Sequence, residues 1–198
     1  LLSMLLGSRA SALPASAKSK SIQVLARLVL VGWPTEEPAV LQELLGLLRE
    51  NGQKRHVGAM LLTALADESA VGSARGGTRS TEDRQAAFIR FLPDAYSTLA
   101  AVLRVEGEQR GEEDGVVVCL EACRALVSFG RVQDGGARAR AFTDEEAHAL
   151  AALLGAVAPY FVPTFQGQQA AAVGALAVVA ELCELHDAKS AALLAQLI

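Results

Sequence analysis

Apolar residues recur at helical spacing along nearly the whole chain. In QKRHVGAMLLTALAD, residues 53–67, the apolar positions are Val57, Met60, Leu61, Ala64 and Leu65. They fall at i, i+3, i+4, i+7 and i+8, the signature of a helix with one buried stripe. Gln53, Lys54, Arg55 and Asp67 mark its wet ends. Apolar helices flank it on both sides, after a turn upstream and a loop downstream. This helix is therefore expected in a stack, with neighbours on more than one side.

The same spacing predicts the other elements. Residues 1–6 read as the last turns of a helix ended by Gly7, and 8–19 as a Ser/Ala linker containing Pro14. Ser21 caps a helix over 22–31 that buries Val24, Leu25, Leu28 and Val31, and Gly32 stops it. Trp33-Pro34 makes a turn, since the residue before proline avoids the helical region. Thr35 or Glu37 caps a helix over 38–50, with Pro38 in its first turn. Its buried positions are Val40, Leu41, Leu44, Leu45, Leu47 and Leu48, and Asn51-Gly52 closes it.

After the helix over 53–67, residues 69–80 read as a Gly/Ser/Arg loop. Ser80 or Thr81 caps a long helix, with Glu82 and Asp83 in the first turn, where the helix dipole favours negative charge. Phe88, Ile89, Leu92, Tyr96, Leu99, Val102 and Leu103 keep one stripe along it, and Pro93 is expected to kink or split it. An acidic loop over 106–115 follows. The next helix, over 116–129, carries Val117, Leu120, Cys123 or Arg124, and Val127 on helical spacing. A second polar loop covers 130–140, with Gly135-Gly136. Thr143 with Glu146 three residues on is a capping-box signature, opening a helix to about Val157. Pro159 and Pro163 punctuate a turn, a helix over 166–186 carries Val173, Leu176, Val179, Ala180, Leu182 and Cys183, and a last helix starts near Asp187.

No stretch alternates as a strand would. The expectation is an all-α chain of paired amphipathic helices, approximately 21–50, 53–106, 116–158 and 166–198. The spacing of the pairs is near the ~40–47 residues of HEAT and armadillo repeats. Two architectures compete, a globular bundle and an α-solenoid of HEAT-like antiparallel helix pairs forming a right-handed superhelix. Sequential pairing and the lack of a single closing core favour the solenoid.

Composition agrees with helix. The chain has 198 residues, 52% hydrophobic and 5% aromatic, rich in Leu and Ala, which favour helix over sheet. Its net charge of −4 and pI of 5.4 argue against a nucleic-acid binder and direct DNA binding, and fit basic partners. The longest apolar run, 170–180, falls short of the ~18–20 residues of a membrane span. The opening LLSMLL lacks the basic start of a signal peptide. The start without Met and the end within an apolar pattern, AALLAQLI, read as a piece of a longer chain.

Candidate chemistry is sparse. Three cysteines, an odd number, give no disulfide framework and point to a reducing compartment. Cys119 and Cys123 share a helix face and read as buried thiols acting as small hydrophobes, as does Cys183. His56, His148 and His186 lie on separate helices without metal-ligand spacing and read as surface or rim residues. The Gly-rich loop 72–78 lacks a Gly-Lys-Ser/Thr ending and a preceding strand, which excludes a phosphate loop. Arg75, Arg79 and Arg84 form a candidate basic spot, and Glu106, Glu108, Glu112, Glu113 and Asp114 a candidate acidic one, a contact for a basic surface. No nucleophile–base pairing or carboxylate pair stands out, so neither an enzyme nor a cofactor is expected.

Four stretches in order carry a resemblance. They are Leu25-Ala26-Arg27-Leu28 through Gly32-Trp33-Pro34 to Val40-Leu41-Gln42-Glu43-Leu44-Leu45; Met60 to Glu68; Ser80 to Gln85 leading to Phe91-Leu92-Pro93; and Cys119 to Phe129. Together they resemble the N-terminal region of the importin-β/exportin superfamily of nuclear transport receptors, over most of 22–129. The resemblance implies binding of a Ran-type small GTPase in its GTP state on the inner face of the first repeats. It also implies cargo, protein or RNA, in the concave surface, and a place in cytoplasm and nucleus. It carries over no individual binding residue. The alternatives are a HEAT or armadillo scaffold outside transport, and a compact helical bundle with a small-molecule site.

Overall fold

The computed structural model describes residues 13–32, 37–74, 79–109, 113–131, 142–161, 169–183 and 195. These residues form seven α-helices and one 3-10 turn, and no strand among them. In chain order the helices are α1 (Ala15–Gly32), α2 (Glu37–Arg49), α3 (Gln53–Ala74), α4 (Arg79–Gln109), α5 (Glu113–Arg131), α6 (Asp144–Val157) and α7 (Gln169–Cys183). The 3-10 turn, Ala158–Tyr160, follows α6.

Six of the seven helices pack most heavily on a helix two places away in the chain; α2 alone packs most heavily on its chain neighbour, α3. α1 lies on α3, α3 on α5 and α5 on α7, while α2 lies on α4 and α4 on α6. Odd-numbered helices thus make one layer and even-numbered helices the other, joined by the contacts of α2 with α3 and of α4 with α3 and α5. Polar bonds follow the same plan. Arg27–Glu68 at 2.9 Å and Arg124–Glu181 at 3.5 Å tie the odd layer. In the even layer, Arg49 Nη2 donates to Thr98 Oγ1 at 3.3 Å, Arg104 Nη2 to the Ala152 carbonyl at 3.1 Å, and Tyr160 Oη to the Leu103 carbonyl at 2.7 Å. Across the layers, Tyr96 Oη donates to the Leu126 carbonyl at 3.2 Å, beside an edge-on contact of Phe88 with Phe129.

The central helix behaves as its stripe predicts. Val57, Leu61, Ala64 and Leu65 are buried and Met60 packs against the core. Ala59, Leu62 and Ala66 are buried as well, because α3 meets α1, α2 and α5 at once. Gly52, at φ +61°, makes the turn from α2 that Asn51-Gly52 predicted; glycine carries no Cβ penalty there. The close approach of α2 needs Gly58, where a Cβ would lie 3.1 Å from Leu47 Cβ.

Several boundaries differ from the sequence expectation. α1 begins directly after Pro14, whose carbonyl accepts from the amides of Ala17 and Lys18 at 3.0 Å. The Ser/Ala segment 15–19 is therefore helix, and Ser21 is not a cap; alanine and lysine are good helix formers. α3 runs on to Ala74 through the expected loop, because Ser69 is buried and its carbonyl accepts from Gln85 Nε2 on α4. α4 starts at Arg79 and passes through Pro93 as one helix, so the expected split does not occur. Leu92, Tyr96, Leu99 and Leu103 around it are fully buried, and that packing offsets the roughly 3 kcal/mol an interior proline costs. The expected acidic loop is also mostly helix: α4 reaches Gln109 and α5 starts at Glu113.

The terminal helices are the largest correction. Val24, Leu28 and Val31 on α1, expected inside, are 48%, 57% and 74% exposed, and Ile22 and Ala26 are the buried pair. On α7, Val173 and Leu176 are exposed and Ala171, Ala172, Ala175, Val178 and Leu182 face inward. Among the described residues each of these helices has one odd-layer neighbour, α3 for α1 and α5 for α7, and the buried residues face it. The expected turns and loops at Gly7, Trp33-Pro34, Gly135-Gly136 and Pro163, and the helix from Asp187, lie outside the described residues apart from residue 195.

In α4, the stretch Gln85–Glu106 has the length and apolar composition of a membrane span. Its most apolar window is 67% buried within the helical layers, as in a core helix.

Candidate binding groove

Three odd-layer helices, α1, α3 and α5, leave a groove of about 370 Å³ between them. Its floor is apolar: Ile22 from α1, Met60 and Ala64 from α3, and Val118 from α5. These positions follow from helical spacing, since Met60 and Ala64 sit one turn apart on α3. Thr63 adds little polarity, because its hydroxyl donates to the Ala59 carbonyl at 3.0 Å.

Carboxylates line one end. Asp67 and Glu68 come from the same turn of α3, and Glu121 from α5. Glu68 is held by Arg27. Glu121 shares Arg124 with Glu181, each at 3.5 Å. Asp67 has no ion-pair partner among the described residues. Although it reaches solvent, burial of its carboxyl raises its pKa above the usual 3.8, against the pull of Arg124 and with the repulsion of Glu121 and Glu68.

His56 stands at the other end, on the first turn of α3. Burial holds its imidazole below the usual 6.5, with Asp114 opposing and Lys18 assisting. It separates the groove from a second, polar cleft of about 410 Å³ beside Lys18, Arg55, Glu106 and Asp114. Arg55 is fully engaged there. Its Nε donates to the Leu48 carbonyl at 3.1 Å, one Nη to Asn51 Oδ1 at 2.7 Å, and the other pairs with Glu106. That cleft therefore has a structural cation in its wall.

The residues singled out from sequence scatter. Cys119 and Cys123 are buried as expected, and burial pushes the Cys119 thiol to about 11 and Cys123 well above 9.0. Cys183, expected to be buried, is instead exposed at the end of α7. His148 is exposed on α6 beside Pro93 and Asp94 of α4, and His186 lies outside the described residues. Glu106 leaves the expected acidic spot: it sits on α4, paired with Arg55 across the layers. Asp114 is exposed at the start of α5, Glu108 and Glu113 lie in α4 and α5, and Glu112 is outside the described residues. Arg79 and Arg84 lie in α4, and Arg75 is outside. Among the described residues no His, Cys, Asp or Glu group could hold a metal ion.

Sequence reading missed the groove and the burial of Arg55. Asp67 and Arg55 both looked like wet ends of one helix. Arg55 pairs with Glu106 on α4, and Asp67 is surrounded by the charges of Glu121 and Arg124 on α5, at sequence distances no local pattern reports. No protein family, curated protein or solved structure matches this chain.

Proposed function

We propose that this chain is a segment of an α-solenoid of HEAT-like antiparallel helix pairs, serving to hold protein partners along its odd-numbered layer. One observation carries the reading. Each helix packs on the second-next, α1 and α7 do not pack extensively on each other, and both keep apolar faces uncovered. Such an array grows by adding hairpins rather than by closing round one centre. The groove between α1, α3 and α5 is the concavity in which a partner would sit.

The test is twofold. Small-angle scattering should give a radius of gyration above the roughly 16 Å expected of a globule of this length. Short peptides of varied composition should include binders that slow hydrogen exchange in α1, α3 and α5. A globular radius, or no peptide protecting that layer, overturns the reading.

A narrower reading is favoured by the four ordered stretches over 22–129: a nuclear transport receptor segment. In that case a Ran-type GTPase and cargo favour one curvature of the solenoid, so their affinities are linked, and the protein works in cytoplasm and nucleus. The check is a pull-down with the GTPase in GTP- and GDP-loaded forms. Retention independent of the nucleotide, or none, sinks this reading and leaves the scaffold standing.

A further inference from the structure

We propose that the groove between α1, α3 and α5 takes a linear segment of a partner protein carrying a lysine or arginine beside an apolar side chain. The inference rests on the scaffold reading and names the partner of its groove. Shape comes first. A volume of about 370 Å³ lies at the low end of ligand sites, which run about 300–1,000 Å³, so a few side chains fit and a folded domain does not. The floor of Ile22, Met60, Ala64 and Val118 offers an anchor point for one apolar side chain. A methionine there adapts its shape to what enters.

Charge then selects the segment. Among the described residues, three carboxylates line the groove, Asp67, Glu68 and Glu121, and two guanidiniums, Arg27 and Arg124, pair with the last two. Arg27 is largely exposed and committed to Glu68, and Arg124 is divided between Glu121 and Glu181. The surplus negative charge gathers at Asp67, at the mouth of an apolar floor. A cation placed there relieves the crowding of three carboxylates, whereas an acidic segment or a nucleic-acid phosphate adds to it. The chain's net charge of −4 disfavours a second copy for the same reason.

The experiment uses the full chain and two short fluorescein-labelled peptides, read by fluorescence anisotropy. One carries Leu-Arg-Arg-Leu in a Gly/Ser background; the other has Glu in place of each Arg. The basic peptide should bind, and the acidic one about tenfold more weakly or less. The double variant Asp67→Asn/Glu121→Gln, isosteric at two exposed positions, should keep the melting temperature and bind the basic peptide about fivefold more weakly. Raising salt from about 50 to about 500 mM should weaken wild-type binding more than that of the variant. Equal binding of the two peptides, or an unchanged basic-peptide affinity in the double variant, overturns the inference while the scaffold reading survives. Binding of neither, with no other peptide protecting α1, α3 and α5, overturns both.

Discussion

Arg55 on α3 and Glu106 on α4 form an ion pair buried between the two helical layers, with only 7% and 13% of their side chains exposed. The same guanidinium also closes the end of α2, by donating to the Leu48 carbonyl and to Asn51. One side chain thus joins three helices. Removing either partner strands a charge where water scarcely reaches. Arg55→Met is expected to cost about 3–5 kcal/mol, and Glu106→Leu a comparable amount. The double variant should be less destabilised than the sum, with a coupling of about 1–3 kcal/mol. Urea denaturation of the four proteins checks this, and additive costs would show that the pair is not coupled.

The start of α6 is held by a reciprocal pair. The Glu146 amide donates to Thr143 Oγ1 at 3.1 Å, and the Thr143 amide to Glu146 Oε2 at 2.8 Å. Thr143→Ala should cost about 1 kcal/mol. For a chain of this size that lowers Tm by about 2–4 °C in a calorimetric scan.

Two glycines in neighbouring helices should respond with opposite signs. At Gly46 on α2 an added Cβ meets nothing within 4 Å. Gly46→Ala should therefore stabilise by about 0.5–1 kcal/mol through helix propensity alone. At Gly58 the Cβ would press Leu47 Cβ at 3.1 Å and the Leu48 backbone nitrogen at 3.2 Å. Pushing α2 away costs about 1–3 kcal/mol, more than the propensity gained, so Gly58→Ala should destabilise. Chemical denaturation of both variants decides it.

Cysteine reactivity should divide by burial. In the native protein iodoacetamide should label Cys183 and spare Cys119 and Cys123, as read by mass spectrometry. The buried pair also sets an alkaline limit. Burial raises the Cys119 thiol from the ordinary 9.0 to about 11, so between those values the unfolded chain loses the proton first. Stability from this group is fully present below pH 9.0 and declines as pH rises through about 11. Cys123, shifted the same way, adds to the slope. Denaturant midpoints measured across this range should fall less steeply in Cys119→Ala/Cys123→Ala than in wild type.

Much of this molecule follows from side-chain period. The stripes of α2, α3 and α4, the Asn51-Gly52 turn and the Thr143–Glu146 cap are local arrangements, and local arrangements are written in neighbouring residues. Tertiary structure decided which flank of each helix goes inside. Val24, Leu28 and Val31 have the spacing of a buried face, yet α1 turns Ile22 and Ala26 to α3 and leaves them out. Residues 69–74 and Pro93 look like breaks, yet α3 runs on to Ala74, with Ser69 buried and bonded by Gln85 of α4, and α4 passes through Pro93 among buried side chains. The groove belongs to the same class. Met60, Val118 and Ile22 meet only because α1, α3 and α5 lie side by side, and the charge of Asp67 acquires its meaning from Glu121, far along the chain. Periodicity dictates helices because it acts within a few turns; contacts between layers join residues dozens of positions apart, and only the packed chain specifies them.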